Sequence, residues 1–263
     1  MRYRKMLAVG AVVVATGLSS SYWWSTHAQG TTMSGFKQYP PEQFFTGQQL
    51  ELARAIHDGD ISRVKTLARA ADLNAPGNSN MTLLAFAIQE SIPVKTDLGN
   101  ARFEIVSQLV RDGARPEQTF LENDNIAYDA ARADTPNFLK ALLAGGMSPD
   151  IRYDGDTPLL FATMSERQLP EMKVLIEHKA NVNIRDSLQE TAIFTATRLR
   201  QWDIVDYLLA QGANPTVHNV NGLTYAKVLE TELNRTPKDS PQLERIGAVG
   251  RRIVAAGGKW PPA

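Results

Sequence analysis

The 263-residue chain has no cysteine. This excludes disulfide staples, thiolate metal sites, a cysteine nucleophile and lipid attachment of the lipoprotein type. Histidine is scarce: His27, His57, His178 and His218 are scattered, with no H-E-x-x-H spacing, so there is no zinc ligand set. No G-x-S-x-G elbow, P-loop or Rossmann glycine pattern occurs. An excess of one charge is also missing, with 28 basic residues against 28 acidic. That leaves no basic footprint for nucleic acid or anionic lipid. The pairs Asp154/Asp156 and Glu122/Asp124 fall in expected loop tips. Two carboxylates two apart in a turn hold a cation weakly, and at such tips they are more simply solvated. These absences point away from an enzyme, a metal or a cofactor.

The N-terminus is unlike the rest. Arg2, Arg4 and Lys5 precede an apolar run from Met6 to Leu18, and Thr26-His27-Ala28 offers small residues before Gln29. Residues 1–28 are therefore expected to be a secretory signal peptide. The alternative is an uncleaved anchor that extends through Tyr22, Trp23 and Trp24. Either way the body is delivered across a membrane. A cysteine-free exported chain suits a Gram-negative periplasm. Without Arg2, Arg4 and Lys5 the remaining chain has 25 basic and 28 acidic residues, a net of −3. Residues 29–46 read as a polar tether that partly docks through Phe44 and Phe45.

What the chain has is a repeat. The phrases DTPLLFATM at Asp156–Met164, ETAIFTATR at Glu190–Arg198 and GLTYAKVLE at Gly222–Glu230 return at near-constant spacing, with Thr157, Thr191 and Thr224 in register. Gly113-Ala114, Gly146-Met147, Lys179-Ala180 and Gly212-Ala213 mark equivalent turns. Before three of these turns the apolar spacing is i, i+1, i+4, i+5: Ile105/Val106/Leu109/Val110, Phe138/Leu139/Leu142/Leu143 and Ile204/Val205/Leu208/Leu209. Such spacing places one buried stripe on a helix. The threonine phrase predicts a shorter helix, whose small Ala87, Ala130, Ala162 and Ala196 allow close packing. A helix, a tight turn and a second helix repeated near every 33 residues predict an all-α solenoid.

The pattern resembles the ankyrin repeat. GDTPLLFA at Gly155–Ala162, KANVN at Lys179–Asn183 and QGANP at Gln211–Pro215 carry the likeness, over about residues 47–258. Six copies are expected, at 47–77, 78–117, 118–150, 151–184, 185–217 and 218–258, with a tail at 259–263. The resemblance implies that the threonine hydroxyl caps the first helix and that proline occupies its first turn. Only Thr157-Pro158 keeps both residues. Ser91–Ala101 and Glu232–Gln242 break the period and read as loops between helices.

By register, the exposed tips and first-helix faces supply a candidate partner-binding set: Gln89, Glu90, Glu122, Asp124, Arg132, Tyr153, Asp154, Asp156, Met164, Leu188, Glu190, Arg198 and Leu199. The mixture of apolar anchors, acids and arginine has the make-up of a protein interface. Small exported ankyrin proteins resemble the periplasmic immunity proteins of type VI secretion effectors. The function implied is binding and neutralising a toxic hydrolase, a phospholipase or a peptidoglycan hydrolase, by a chain that is monomeric when free. The alternative is a periplasmic or membrane-anchored scaffold for a stress-response or envelope enzyme.

Overall fold

The computed structural model describes residues 39–92, 97–120, 124–133, 135–154, 156–165 and 168–262. The expectations for the N-terminal leader, for Glu122 and for the middle of the first insertion lie outside the described residues. The chain forms two compact units, Met1–Met147 and Ser148–Ala263.

In the first unit the helices are α1 (Gly47–Asp58), α2 (Ile61–Leu67), α3 (Leu83–Glu90), α4 (Asp97–Arg111), α5 (Ile126–Arg132) and α6 (Asn137–Ala144). A two-stranded antiparallel hairpin, β1 (Thr119–Phe120) with β2 (Asp124–Asn125), precedes α5. In the second unit they are α7 (Leu159–Ala162), α8 (Leu169–Glu177), α9 (Ala192–Arg198), α10 (Trp202–Ala210), α11 (Tyr225–Arg235) and α12 (Gln242–Ala255). Here β3 (Arg152–Tyr153) pairs with β4 (Thr157–Pro158). Single bridges Arg185–Thr191 and His218–Thr224 repeat the Arg152–Pro158 pairing one and two periods later. Among the described residues the fold is thus helix pairs with short hairpin tips.

The predicted stripes are the cores. Ile105, Val106 and Leu109 are buried in the first unit, as are Phe138, Leu139 and Leu142, and in the second Ile204, Val205 and Leu208 are buried. First helices pack on first helices, α1 on α3 and α9 on α11, and each packs on its own second helix. Phe44 and Phe45 do more than dock in part. Both are buried, edge-on to Phe86 at ring distances of 6.2 and 5.6 Å. Full burial of a phenylalanine is worth about 1.5–3 kcal/mol, so this pair ties the segment before α1 to α3.

The turns repeat to the atom. Ala114, Met147, Ala180 and Ala213 each donate a backbone N–H to the carbonyl five residues back, at 2.9, 3.1, 2.9 and 2.9 Å. Each bond satisfies a carbonyl that the helix end would leave bare. The bond requires a left-handed residue just before it. Gly113, Gly146 and Gly212 supply it at φ 107°, 104° and 90°, and Lys179 adopts it at φ 72°.

Neighbouring tips are stitched by side chains one period apart. Arg152 Nη1 donates to the Arg185 carbonyl at 3.0 Å, and Arg185 Nη1 to the His218 carbonyl at 3.3 Å. Asn183 Nδ2 donates to the Gly212 carbonyl at 3.1 Å while its Oδ1 accepts from Asn214 N at 2.7 Å. Asn74 does the same in the first unit, with Gly113 O at 2.9 Å and Arg115 N at 2.9 Å.

Two local expectations need correction. Thr82 and Thr224 cap their helices, accepting from Ala85 N at 3.1 Å and Lys227 N at 3.3 Å. Thr157 and Thr191 do not. Thr157 is held in β4 and donates to the Asp154 carbonyl at 3.2 Å, so Pro158 becomes the N-cap of α7 rather than part of its first turn. The second insertion is also shorter as a loop than Glu232–Gln242. Helix α11 runs on to Arg235 because buried Glu232 receives Arg200 at 2.8 Å and Arg235 at 3.2 Å. In the first insertion α4 already begins at Asp97.

Candidate protein-binding surface

The tip of the fifth copy is built by Asp186. Its Oδ1 accepts from Leu188 N and Glu190 N, both at 2.9 Å. One period later Asn219 Oδ1 accepts from Asn221 N at 2.9 Å and Leu223 N at 3.0 Å. The two turns are alike because aspartate and asparagine both bond their own backbone two to four residues on. They also touch: Val220 N donates to the Leu188 carbonyl at 3.0 Å. At their crest Leu188 is 51% exposed and Val220 57% exposed, two large apolar side chains on adjoining turns. Leu199, at the C-cap of α9, is also exposed.

Glu190 underlies this crest. Arg198 grips its carboxylate with both terminal nitrogens, Nη2 at 2.7 Å from Oε1, and Asn219 Nδ2 donates to the same Oε1 at 2.9 Å. The arginine's hydrogen bonds hold the Glu190 carboxyl below the usual range, against the opposing effect of burial. A carboxyl lowered in the folded state stabilises the fold above its unfolded pKa and loses that contribution as pH falls through the folded value. Glu190→Gln should therefore be less stable than wild type at neutral pH. Urea melts repeated at falling pH should show the gap close below about pH 4, under the ordinary glutamate pKa. A gap constant from pH 7 to pH 3 would contradict this account.

The remaining candidates divide by burial. Gln89, Glu90, Met164 and Glu190 are buried and are not surface contacts. Met164 lies past the four-residue α7, in the turn toward α8, where it is fully buried and its carbonyl accepts from Gln201 Nε2 at 2.7 Å. Glu90 closes the C-terminus of α3, with His57 Nδ1 3.3 Å and Arg102 Nη2 3.7 Å from its carboxylate. Burial raises its pKa, while His57 and Arg102 oppose the rise. Arg198 is partly exposed, but its guanidinium is committed to Glu190 and lies 5.7 Å from the Phe194 ring centre. Arg132 is half-buried, 4.9 Å over the Tyr128 ring. Asp154 and Asp156 are exposed at the β3–β4 turn, where Arg152 reaches Asp156 at 3.4 Å, and Tyr153 is half-buried beside them. Asp124 is in β2. Val220 was not among the sequence candidates. Its only signal is that it follows Asn219, the period-equivalent of Asp186.

The other polar residues fall into structural places. His178 Nδ1 lies 2.9 Å from the Val174 carbonyl at the end of α8, and Trp202 is buried at the start of α10. Among the described residues no group of three or more His, Asp or Glu side chains is placed to hold a metal ion. None of the described helices is long and apolar enough to cross a membrane.

A family model for ankyrin repeats in three copies matches residues 95–186 and 127–219. Protein PhlB of Serratia liquefaciens is 26% identical over 207 residues, spanning 76% of this chain and 82% of that protein. An ankyrin repeat domain from Acinetobacter baumannii is similar in structure at a TM-score of 0.53, with 20% identity over 79% of this chain and 98% of that chain. A chain from the complex of a predatory endopeptidase of Bdellovibrio bacteriovorus with an immunity protein aligns over 75% of this chain and 97% of that one. Its identity is 22% and its TM-score 0.48, a likeness too slight to carry an argument. With its helix pairs, left-handed turns and stitched hairpin tips, the chain has the ankyrin-repeat fold, and its residues 95–219 match the family model for ankyrin repeats.

Proposed function

We propose that this chain is an exported immunity protein, which waits in the periplasm and neutralises a toxic hydrolase by binding it. The observation that carries the reading is the crest at Leu188 and Val220. Two large aliphatic side chains stay exposed on turns that are braced by Asp186 and Asn219, and Leu199 adds a third. Paired apolar anchors on a rigid base are what a tight protein interface needs, because little ordering entropy is lost on binding. The leader-like residues 1–28 support delivery to the periplasm. The type VI effectors, phospholipases or peptidoglycan hydrolases, are the partner class that this location and a binding fold together suit.

The test is growth rescue. Cells receive the product of the gene beside this chain's, a hydrolase on this reading, directed to the periplasm, with or without this chain. Wild type should restore growth. Leu188→Ala and Val220→Ala should each weaken the complex by about 1–3 kcal/mol, the range of interface hot spots. Both should leave the melting temperature nearly unchanged, since neither side chain is part of the core. No rescue by wild type would remove the immunity reading. Full rescue by the double variant at equal protein level would move the interface away from the crest.

A further inference from the structure

The last copy and the tail carry a positive charge that residues 29–217 do not. Residues 218–262 hold seven basic and four acidic side chains, a net of +3, whereas residues 29–217 hold 18 basic and 24 acidic, a net of −6. The positive excess is not consumed internally. Lys227 pairs with Glu230 and Arg235 with Glu232, but Lys238, Arg245, Arg251, Arg252 and Lys259 have no acidic partner among the described residues. Arg245, Arg251 and Arg252 are exposed on α12.

Beside this cationic helix runs a groove of about 410 Å³, within the range of ligand sites, roughly 300–1,000 Å³. Val217, Ala226, Ile253 and Pro262 give it an apolar lining, and Lys227 and Lys259 are the basic residues that line it. The wall formed by the segment after α12 is fixed by two close approaches. A Cβ on Gly258 would lie 2.7 Å from Ile253 Cγ2 and 3.2 Å from Thr216 Cγ2, so only glycine lets the segment lie this close. A Cβ on Gly250 would lie 2.1 Å from Trp260 Nε1, so the indole sits directly on the helix. Gly258 N also donates to the Ile253 carbonyl at 2.9 Å.

We infer that this groove is a second docking site, for a peptide segment of a protein partner in which acidic and apolar side chains alternate. The apolar lining takes the aliphatic side chains. Lys259 and the α12 arginines supply the field that attracts the carboxylates, and Lys227 exchanges part of its pairing with Glu230 for them. A charged field of this kind raises association rate and selects partner sign, while the apolar contacts hold the complex. The site is separate from the Leu188–Val220 crest in its residues and does not depend on the identity of the hydrolase.

The probe is a fluorescein-labelled peptide of six Glu-Leu repeats, titrated with the full chain and read by fluorescence anisotropy. Binding should weaken at least about tenfold in Lys259→Glu and clearly in Lys227→Gln, with Lys238→Glu, away from the groove, within about twofold of wild type. A Glu-Ser peptide should bind at least about tenfold more weakly, since it lacks the apolar side chains, and a Gln-Leu peptide should bind no better. Circular dichroism of each variant confirms the fold, and Lys259→Gln substitutes if Lys259→Glu does not fold. Equal binding of the Glu-Ser peptide would overturn the inference, since the charge field alone would then explain it. So would equal losses in Lys238→Glu and Lys259→Glu, no binding of the Glu-Leu peptide, or binding of phosphatidylglycerol vesicles in its place. Failure of growth rescue in the hydrolase experiment would leave this result untouched.

Discussion

Leu208→Ala is expected to destabilise the second unit by about 2–5 kcal/mol, the cost of removing a buried leucine and leaving a cavity. Leu208 is fully buried on α10, and its carbonyl also accepts the Ala213 N–H that closes the turn. Its loss should not stay local. α9 packs on both α10 and α11, so a loosened α10 withdraws support from the next repeat. Urea denaturation should show the midpoint falling sharply, and hydrogen exchange should show α9 and α11 losing protection with α10. A change below about half a kcal/mol would contradict the core placement, because even Ile→Val costs that much in a packed core.

Arg102→Ala is expected to cost about 3–5 kcal/mol, as removal of one partner from a buried ion pair does. Arg102 is nearly buried and serves two helix ends at once. Its Nη1 donates to the Glu90 carbonyl at 2.6 Å, at the C-terminus of α3, and its Nη2 to the His57 carbonyl at 2.7 Å, at that of α1. The same guanidinium faces the Glu90 carboxylate, which has no exposure to water. Without the arginine, Glu90 must ionise at high cost or take up a proton. A raised carboxyl contributes stability below its unfolded pKa and loses it as pH rises through the folded value. The variant should therefore recover part of its stability as pH falls through the acidic range, which wild type should do less. Guanidine melts at pH 7 and pH 4.5 read both effects. Arg102→Met with Glu90→Met should cost less than Arg102→Ala alone, because no buried charge is left unpaired. A larger loss in the double variant would show that the carbonyl bonds, not the ion pair, dominate.

The two predictions mark where sequence reading succeeds and where it stops. Leu208 is legible because the helix period of 3.6 and the repeat period of 33 agree on its position. The same holds for Gly113, Gly146 and Gly212, which supply the left-handed residue at three of the four equivalent turns, Lys179 supplying it at the fourth. Glu90 and Glu190 are not legible. Register puts both at the end of a first helix or beside a tip, where a carboxylate is normally solvated. Their partners Arg102 and Arg198 stand 12 and 8 residues further on, and nothing in the spacing shows that the side chains meet. Met164 fails for a different reason: α7 is one turn long, so the chain bends inward before the position that register assigns to the surface. Val220 was hidden because the last copy has drifted from the repeat phrase, although its tip is hydrogen-bonded like that of the copy before it.

The most direct measurement is inhibition of the hydrolase itself. The purified product of the gene neighbouring this chain's, a hydrolase on the proposed reading, is assayed on phospholipid and on peptidoglycan while the chain is titrated in. The account predicts that activity falls to the background at one chain per enzyme, and that Leu188→Asp with Val220→Asp shifts the midpoint at least about a hundredfold while melting like wild type. Undiminished hydrolysis at a large excess of folded wild-type chain, or equal inhibition by the double variant, would contradict it.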